Sequence, residues 1–182
     1  MNTANKITIL RILMIPIFMA VLLIDKIPYN DIIAALIFVI AAATDGVDGY
    51  VARKYNQITD FGKFIDPLAD KLLVATALIC LVDMGRIGSY MAIIIIAREF
   101  IVTSLRIVAM SKGVVIAAEM TGKIKTVIQI IATVIALVFD GDKFLIGNFS
   151  AGYIAMLIAT LFTIYSGVVY LKNNWNLINE AK

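Results

Sequence analysis

Residues 31–71 read DIIAALIFVIAAATDGVDGYVARKYNQITDFGKFIDPLADK, and the fold follows from how this stretch changes along its length. It opens on an apolar run in which residues 32–43 carry no charge. It then turns acidic at Asp45 and Asp48 and basic at Arg53 and Lys54, and after a short polar link a second apolar run begins, carrying Asp66 and Asp70. Crossing a hydrocarbon layer about 30 Å thick takes about 20 mostly apolar residues. Two membrane helices folded back on each other through a tight connection are therefore expected.

The same pattern extends outward from this stretch. Six apolar stretches are long enough to span, at about 7–24, 31–52, 64–82, 90–110, 122–139 and 153–171. Backbone groups in lipid must be satisfied within the segment, so the expectation is an all-α integral membrane protein with six transmembrane helices. A short amphipathic segment opens the chain, and residues 1–182 form one polytopic domain. Hydrophobic residues make up 62% of the 182, against about 45–50% for a soluble domain. The first stretch resembles a secretory signal, but Asp25-Lys26-Ile27-Pro28 offers no small-residue cleavage site, so it is read as retained.

Placing the N-terminus in the cytoplasm returns the C-terminus there as well. Of the 16 Lys and Arg, only Lys26, Arg86 and Lys143 then face outward, as the positive-inside rule requires. Tyr29, Tyr90, Tyr153 and Trp175 flank spans and read as interface anchors. Cys80 is alone, which excludes a disulfide framework. A net charge of +3 gives no reason to expect a nucleic-acid partner. There is no histidine, so proton transfer near neutral pH falls to a carboxylate, a lysine, a tyrosine or the substrate.

Charges inside spans cost about 2.5–3.5 kcal/mol each on insertion scales and usually mark function. Asp45 and Asp48 are spaced i,i+3, and Asp66 and Asp70 i,i+4, so each pair shares a helix face. Four carboxylates brought together repel unless cations arrive. Two divalent ions match the charge, and all-oxygen ligands favour Mg²⁺ or Mn²⁺. Paired metals serve phosphorus chemistry by activating an attacking oxygen and stabilising a leaving one. The alternative makes these aspartates solvated helix caps paired with Arg53, Lys63 or Lys71. It accounts for two or three of them, not for four in one place.

Written out, the segment is Asp45-x2-Asp48-Gly49-x2-Ala52-Arg53-x8-Gly62-x3-Asp66-x3-Asp70. This is similar to the signature of the CDP-alcohol phosphotransferase family, with eight positions matching over 26 residues. The resemblance implies that Asp45, Asp48, Asp66 and Asp70 hold two metal ions beside the diphosphate of a CDP-linked lipid. It implies that Asp70 also takes the proton from the acceptor hydroxyl. Gly49, Ala52, Arg53 and Gly62 would accommodate and hold the CDP-lipid. The family's implied assembly is a homodimer, with the active site at the cytoplasmic membrane face.

The stretch from Arg98-Glu99-Phe100 through Ser104 and Arg106, followed by Gly122-Lys123-Ile124-Lys125-Thr126-x2-Gln129, resembles one branch of that family. In that branch CDP-diacylglycerol is the donor and sn-glycerol 3-phosphate the acceptor, giving phosphatidylglycerol phosphate and CMP. The N-terminal Asn5-x2-Thr8-x2-Arg11 fits the same branch. Arg106, Lys123 and Lys125 are the expected ligands of the acceptor phosphate, since a neutral alcohol needs no such cations. Asn5, Thr8, Arg98 and Ser104 are read as support. Arg98 lies in an apolar span and so requires a partner, either Glu99 or an aspartate across the bundle, and Glu119 is expected at the same cleft. Two alternatives stay open: a CDP-lipid transferase acting on inositol phosphate, serine or phosphatidylglycerol, and a cation or proton transporter. The gathering of the charges at one membrane face argues against the transporter.

Overall fold

A computed structural model describes the backbone of residues 3–24, 26–54, 60–111, 113–114, 116, 119–139, 145–146 and 149–175. Side chains are described over the same residues except 3–6, 45–54, 60–67, 70 and 145–146. Six helices follow in order: α1 (Thr3–Leu23), α2 (Asn30–Lys54), α3 (Asp60–Asp83), α4 (Ser89–Ser111), α5 (Met120–Val138) and α6 (Ala151–Asn173). Between α5 and α6 two short strands, β1 (Leu145–Ile146) and β2 (Phe149–Ser150), pair antiparallel, Leu145 facing Ser150. The all-α expectation agrees with these six helices, and the two-residue ladder is a small addition among the described residues.

Local chemistry explains where the helices stop. α3 and α4 both end in a Schellman motif, with Gly85 at φ 71° and Gly113 at φ 75°. Arg86 N donates to Leu81 O and Gly85 N to Val82 O; Val114 N donates to Ala109 O and Gly113 N to Met110 O. Such a stop needs a left-handed residue, which glycine supplies without steric cost. At the start of α6, the Ser150 hydroxyl accepts from Tyr153 N at 3.1 Å and caps the helix. Asn30 joins α1 to α2, donating from Nδ2 to Leu22 O and accepting Asp31 N at Oδ1.

α1 packs on α2 and α3, α5 on α6 and α2, and α4 on α6 and α3. The core between them is aliphatic and aromatic, including Phe18, Phe38, Leu78, Met91, Ile95 and Met156. α5 and α6 touch almost backbone to backbone: a Cβ added to Gly152 would lie 2.6 Å from Ala136 Cα. Small residues at such crossings are how membrane helices gain van der Waals contact.

The outer surface is apolar on every helix, for example at Leu13, Leu36, Ile79, Ile107, Ile131 and Leu161. Water would penalise such a surface, whereas lipid does not. Among the described residues, Met120–Val138 and Ala151–Asn173 are long and apolar enough to cross a membrane, and Ile7–Leu23 and Asn30–Thr44 are shorter apolar helices.

At the end of the bundle opposite the aspartates, Arg86 of the α3–α4 connection closes the structure. Its Nη2 meets Asp31 Oδ1 at 2.7 Å and its Nη1 donates to Leu137 O at 2.8 Å and Ala136 O at 3.4 Å. The last carbonyls of α5 are thus satisfied by a cation that also suits the negative end of the helix dipole. As a sequence feature Arg86 had only a topological meaning; here it ties α2, α5 and the α3–α4 connection together.

Candidate active site

Asp45 and Asp48 sit in the last turns of α2, and Asp66 and Asp70 in the first three turns of α3. Their helical backbone keeps the i,i+3 and i,i+4 spacing on which face-sharing rests. The side chains of these four aspartates, and those of Asn5, Gly49, Ala52, Arg53 and Gly62, lie outside the described residues. Among the described residues no group of three His, Cys, Asp or Glu comes together as a metal site.

Described side chains approach this region from α1. Arg11 is fully buried, and its Nε donates to Thr44 Oγ1 at 3.2 Å, one residue before Asp45. Thr44 in turn donates to Ala41 O at 2.6 Å. Thr8, one turn before Arg11, is buried on the same face. An arginine buried in an apolar bundle stays only where acceptors meet it, which ties this face of α1 to the acidic end of α2.

Beyond α3 a cleft of about 290 Å³ opens between α3, α4, α5 and α6. Its described charges are Lys71, Arg98, Arg106 and Lys123 against Glu99 and Glu119, leaving two positive charges in excess. Arg106 is fixed by α6: its Nε donates to the Tyr170 hydroxyl at 3.1 Å, and its guanidinium lies 5.5 Å from the Tyr170 ring centroid. Glu119 accepts from Asn173 Nδ2 at 3.1 Å and from Thr121 Oγ1 at 3.3 Å, joining the start of α5 to the end of α6. The expectation that Glu119 faces this cleft agrees with its place in the wall.

Arg98 finds the partner its position required. Nη1 donates to Glu99 Oε1 at 3.1 Å and Nη2 to Ser166 Oγ at 2.7 Å. Its stem crosses Gly167, where an added Cβ would come 3.1 Å from Arg98 Cγ. Glu99 Oε1 also accepts Lys125 Nζ at 2.6 Å, so one carboxylate offsets two cations deep in the bundle.

The three expected phosphate ligands therefore divide. Arg106 and Lys123 line the cleft. Lys125, 3% exposed, lines instead a neighbouring cavity of about 130 Å³ between α2, α3, α4 and α5. The helix explains the division, since residues two apart point to different faces. Ser104 is exposed and lines neither volume, whereas its neighbour Thr103 lines the cleft. The two volumes share Lys71, Glu99 and Thr126 as a common wall. One is polar and basic, the other mostly apolar, and they adjoin where α3 carries Asp70 and Lys71. Such a pair suits one charged, water-soluble reactant and one lipid.

The family model for CDP-alcohol phosphatidyltransferase matches residues 1–165. The CDP-diacylglycerol–glycerol-3-phosphate 3-phosphatidyltransferase of Bacillus subtilis is 47% identical over 191 aligned positions, covering 99% of this chain and 98% of that protein. The protein of the same name from Rickettsia bellii is 37% identical over 171 positions, covering 94% of each. A probable phosphatidylglycerophosphate synthase of Mycobacterium tuberculosis is 36% identical over 173 positions, covering 93% of this chain and 80% of its own length.

Proposed function

The chain belongs to the CDP-alcohol phosphatidyltransferase family, and from that premise we propose that it transfers the phosphatidyl group of CDP-diacylglycerol to sn-glycerol 3-phosphate. The products are phosphatidylglycerol phosphate and CMP, placing the protein in phospholipid biosynthesis. The observation that carries the acceptor is the cleft itself. Its excess of two positive charges suits a phosphate monoester, which bears about −1.5 to −2 at neutral pH.

In this reading Arg106 and Lys123 hold the acceptor phosphate, Arg106 oriented by Tyr170. Glu99 fixes Arg98 and Lys125, so that the basic wall keeps its shape when the cleft is empty. Gly49, Ala52, Arg53 and Gly62 receive the CDP moiety. Asp70 takes the proton from the acceptor hydroxyl as its oxygen attacks the lipid-side phosphorus and CMP leaves. Catalysis of this kind is mainly positioning and charge stabilisation.

Asp45, Asp48, Asp66 and Asp70 are the residues that would hold two Mg²⁺ or Mn²⁺ ions. Their donor set fits, being all oxygen, without sulfur or imidazole. Bound there, such ions supply positive charge opposite the diphosphate. Chelation is expected to abolish CMP release, and restoring either ion to recover it.

We infer six membrane crossings, with both termini and the active site at the cytoplasmic face. The 16 Lys and Arg, divided thirteen to three between the faces, support this. A homodimer follows from the family resemblance. The deciding measurement supplies purified protein with CDP-diacylglycerol, a divalent ion and a panel of alcohols while CMP is followed. Release with glycerol 3-phosphate is expected; release with serine or inositol phosphate but not glycerol 3-phosphate overturns the acceptor.

A further inference from the structure

Gln129 is 2% exposed, and neither its amide nitrogen nor its amide oxygen has a hydrogen-bond partner. An amide closed off in this way forfeits about 1–3 kcal/mol. A residue kept at that cost between Ile128, Ile130 and Ile131 calls for a ligand. Gln129 lies in the wall of the cavity of about 130 Å³.

The wall of that cavity is ordered. At the end nearer the acidic turns stand Lys71, Glu99 and Lys125. One turn further along α5, a rise of about 5–6 Å, comes Gln129. Beyond the charged end the wall is Leu73, Val74, Ile95 and Ile130. Charge first, then an amide set among hydrocarbon, matches a diacyl lipid read from its phosphate to its ester and the methylenes beside it. The size is also suitable: a dry cavity of about 150 Å³ takes a group as large as benzene, so this one takes an ester and its first methylenes. Leu68, Leu72 and Phe100 line the same cavity and are exposed on the outer surface, so the cavity borders the bilayer at its side.

We propose that Gln129 is a specificity-determining residue for the donor: its amide Nε2 donates to an ester carbonyl of the bound diacyl lipid, so that ester-linked donors are preferred to ether-linked ones. This rests on the transferase reading above and adds which donor chemistry the site selects. An ether analogue has no carbonyl to accept, and it leaves the buried amide unpaired.

The test measures kcat/KM by CMP release in mixed micelles, with glycerol 3-phosphate and Mg²⁺. The two donors are CDP-diacylglycerol and a CDP-dialkylglycerol of equal chain length. The native protein is expected to prefer the ester about five- to ten-fold, the worth of one neutral hydrogen bond. Gln129→Leu is expected to bring the ratio close to one, a change that a merely structural role for Gln129 would not produce. Equal rates with both donors in the native protein overturn the inference without any variant, and leave the transferase reading standing. An ester preference that survives in Gln129→Leu removes Gln129 as its source. No CMP from either donor overturns the transferase reading, and this inference with it.

Discussion

Arginine does two different jobs at the two ends of this bundle. At the end opposite the aspartates, Arg86 meets Asp31 and the last carbonyls of α5, and it acts as a clasp between elements. At the other end, Arg106 is held on one side by Tyr170 and lines an open cleft, while Arg98 is threaded across Gly167 and keeps a buried Nε without a hydrogen-bond partner. A guanidinium matched to protein acceptors stabilises; one braced from behind and left facing a cavity is prepared for an anion. The difference lies in what surrounds each charge, because the residue type is the same.

Four substitutions test that contrast. The largest effect is expected at the acidic centre: Asp70→Asn should lower kcat by about 10²–10⁴, the usual contribution of a general base. Normal turnover in a variant that still binds metal and CDP-lipid would remove Asp70 from that role. Next comes Arg106→Ala, which should reduce kcat/KM for glycerol 3-phosphate by about 10- to 100-fold, equivalent to about 1.5–3 kcal/mol for a hydrogen bond to a charged group. Its thermal midpoint in detergent should change little. Arg86→Met should reverse that pattern, destabilising by about 1–2 kcal/mol because its partners are partly exposed, while KM for the acceptor stays as it was. A loss of acceptor affinity in Arg86→Met would break the division between the two ends. Ser104→Ala should alter neither quantity beyond about 0.5 kcal/mol, the range of a surface substitution.

Much of this was legible in the sequence because the signals are local. Apolar runs give the helices, while the glycine stops of α3 and α4 show only in the left-handed φ of Gly85 and Gly113. The i,i+3 and i,i+4 aspartates announce their own helix faces. Two things were less visible. Lys123 and Lys125 look equivalent as neighbouring cations, and only their i,i+2 spacing hinted that one would turn to the cleft and the other inward to Glu99. Tyr170 and Ser166 stand 64 and 68 residues from the arginines they hold, a pairing that only the packing of α4 on α6 produces. The small β-ladder did carry a local signal, since two apolar residues precede Gly147-Asn148, a pair suited to a two-residue hairpin.

α5 and α6 are joined twice, by the close approach of Gly152 to Ala136 near one end and by the Glu119–Asn173 hydrogen bond at the other. A pair of rods pinned at both ends behaves as a single strut, and neither can swing away from its neighbour. Lys123 and Tyr170 ride on that strut and keep their spacing, while Arg106, Arg98 and Lys71 stand on the helices opposite. Arg106 and Arg98 of α4 are bonded to the same strut through Tyr170 and Ser166, so the basic wall keeps its width, and α3, with its aspartate pair, is the side of the cleft that these bonds do not hold.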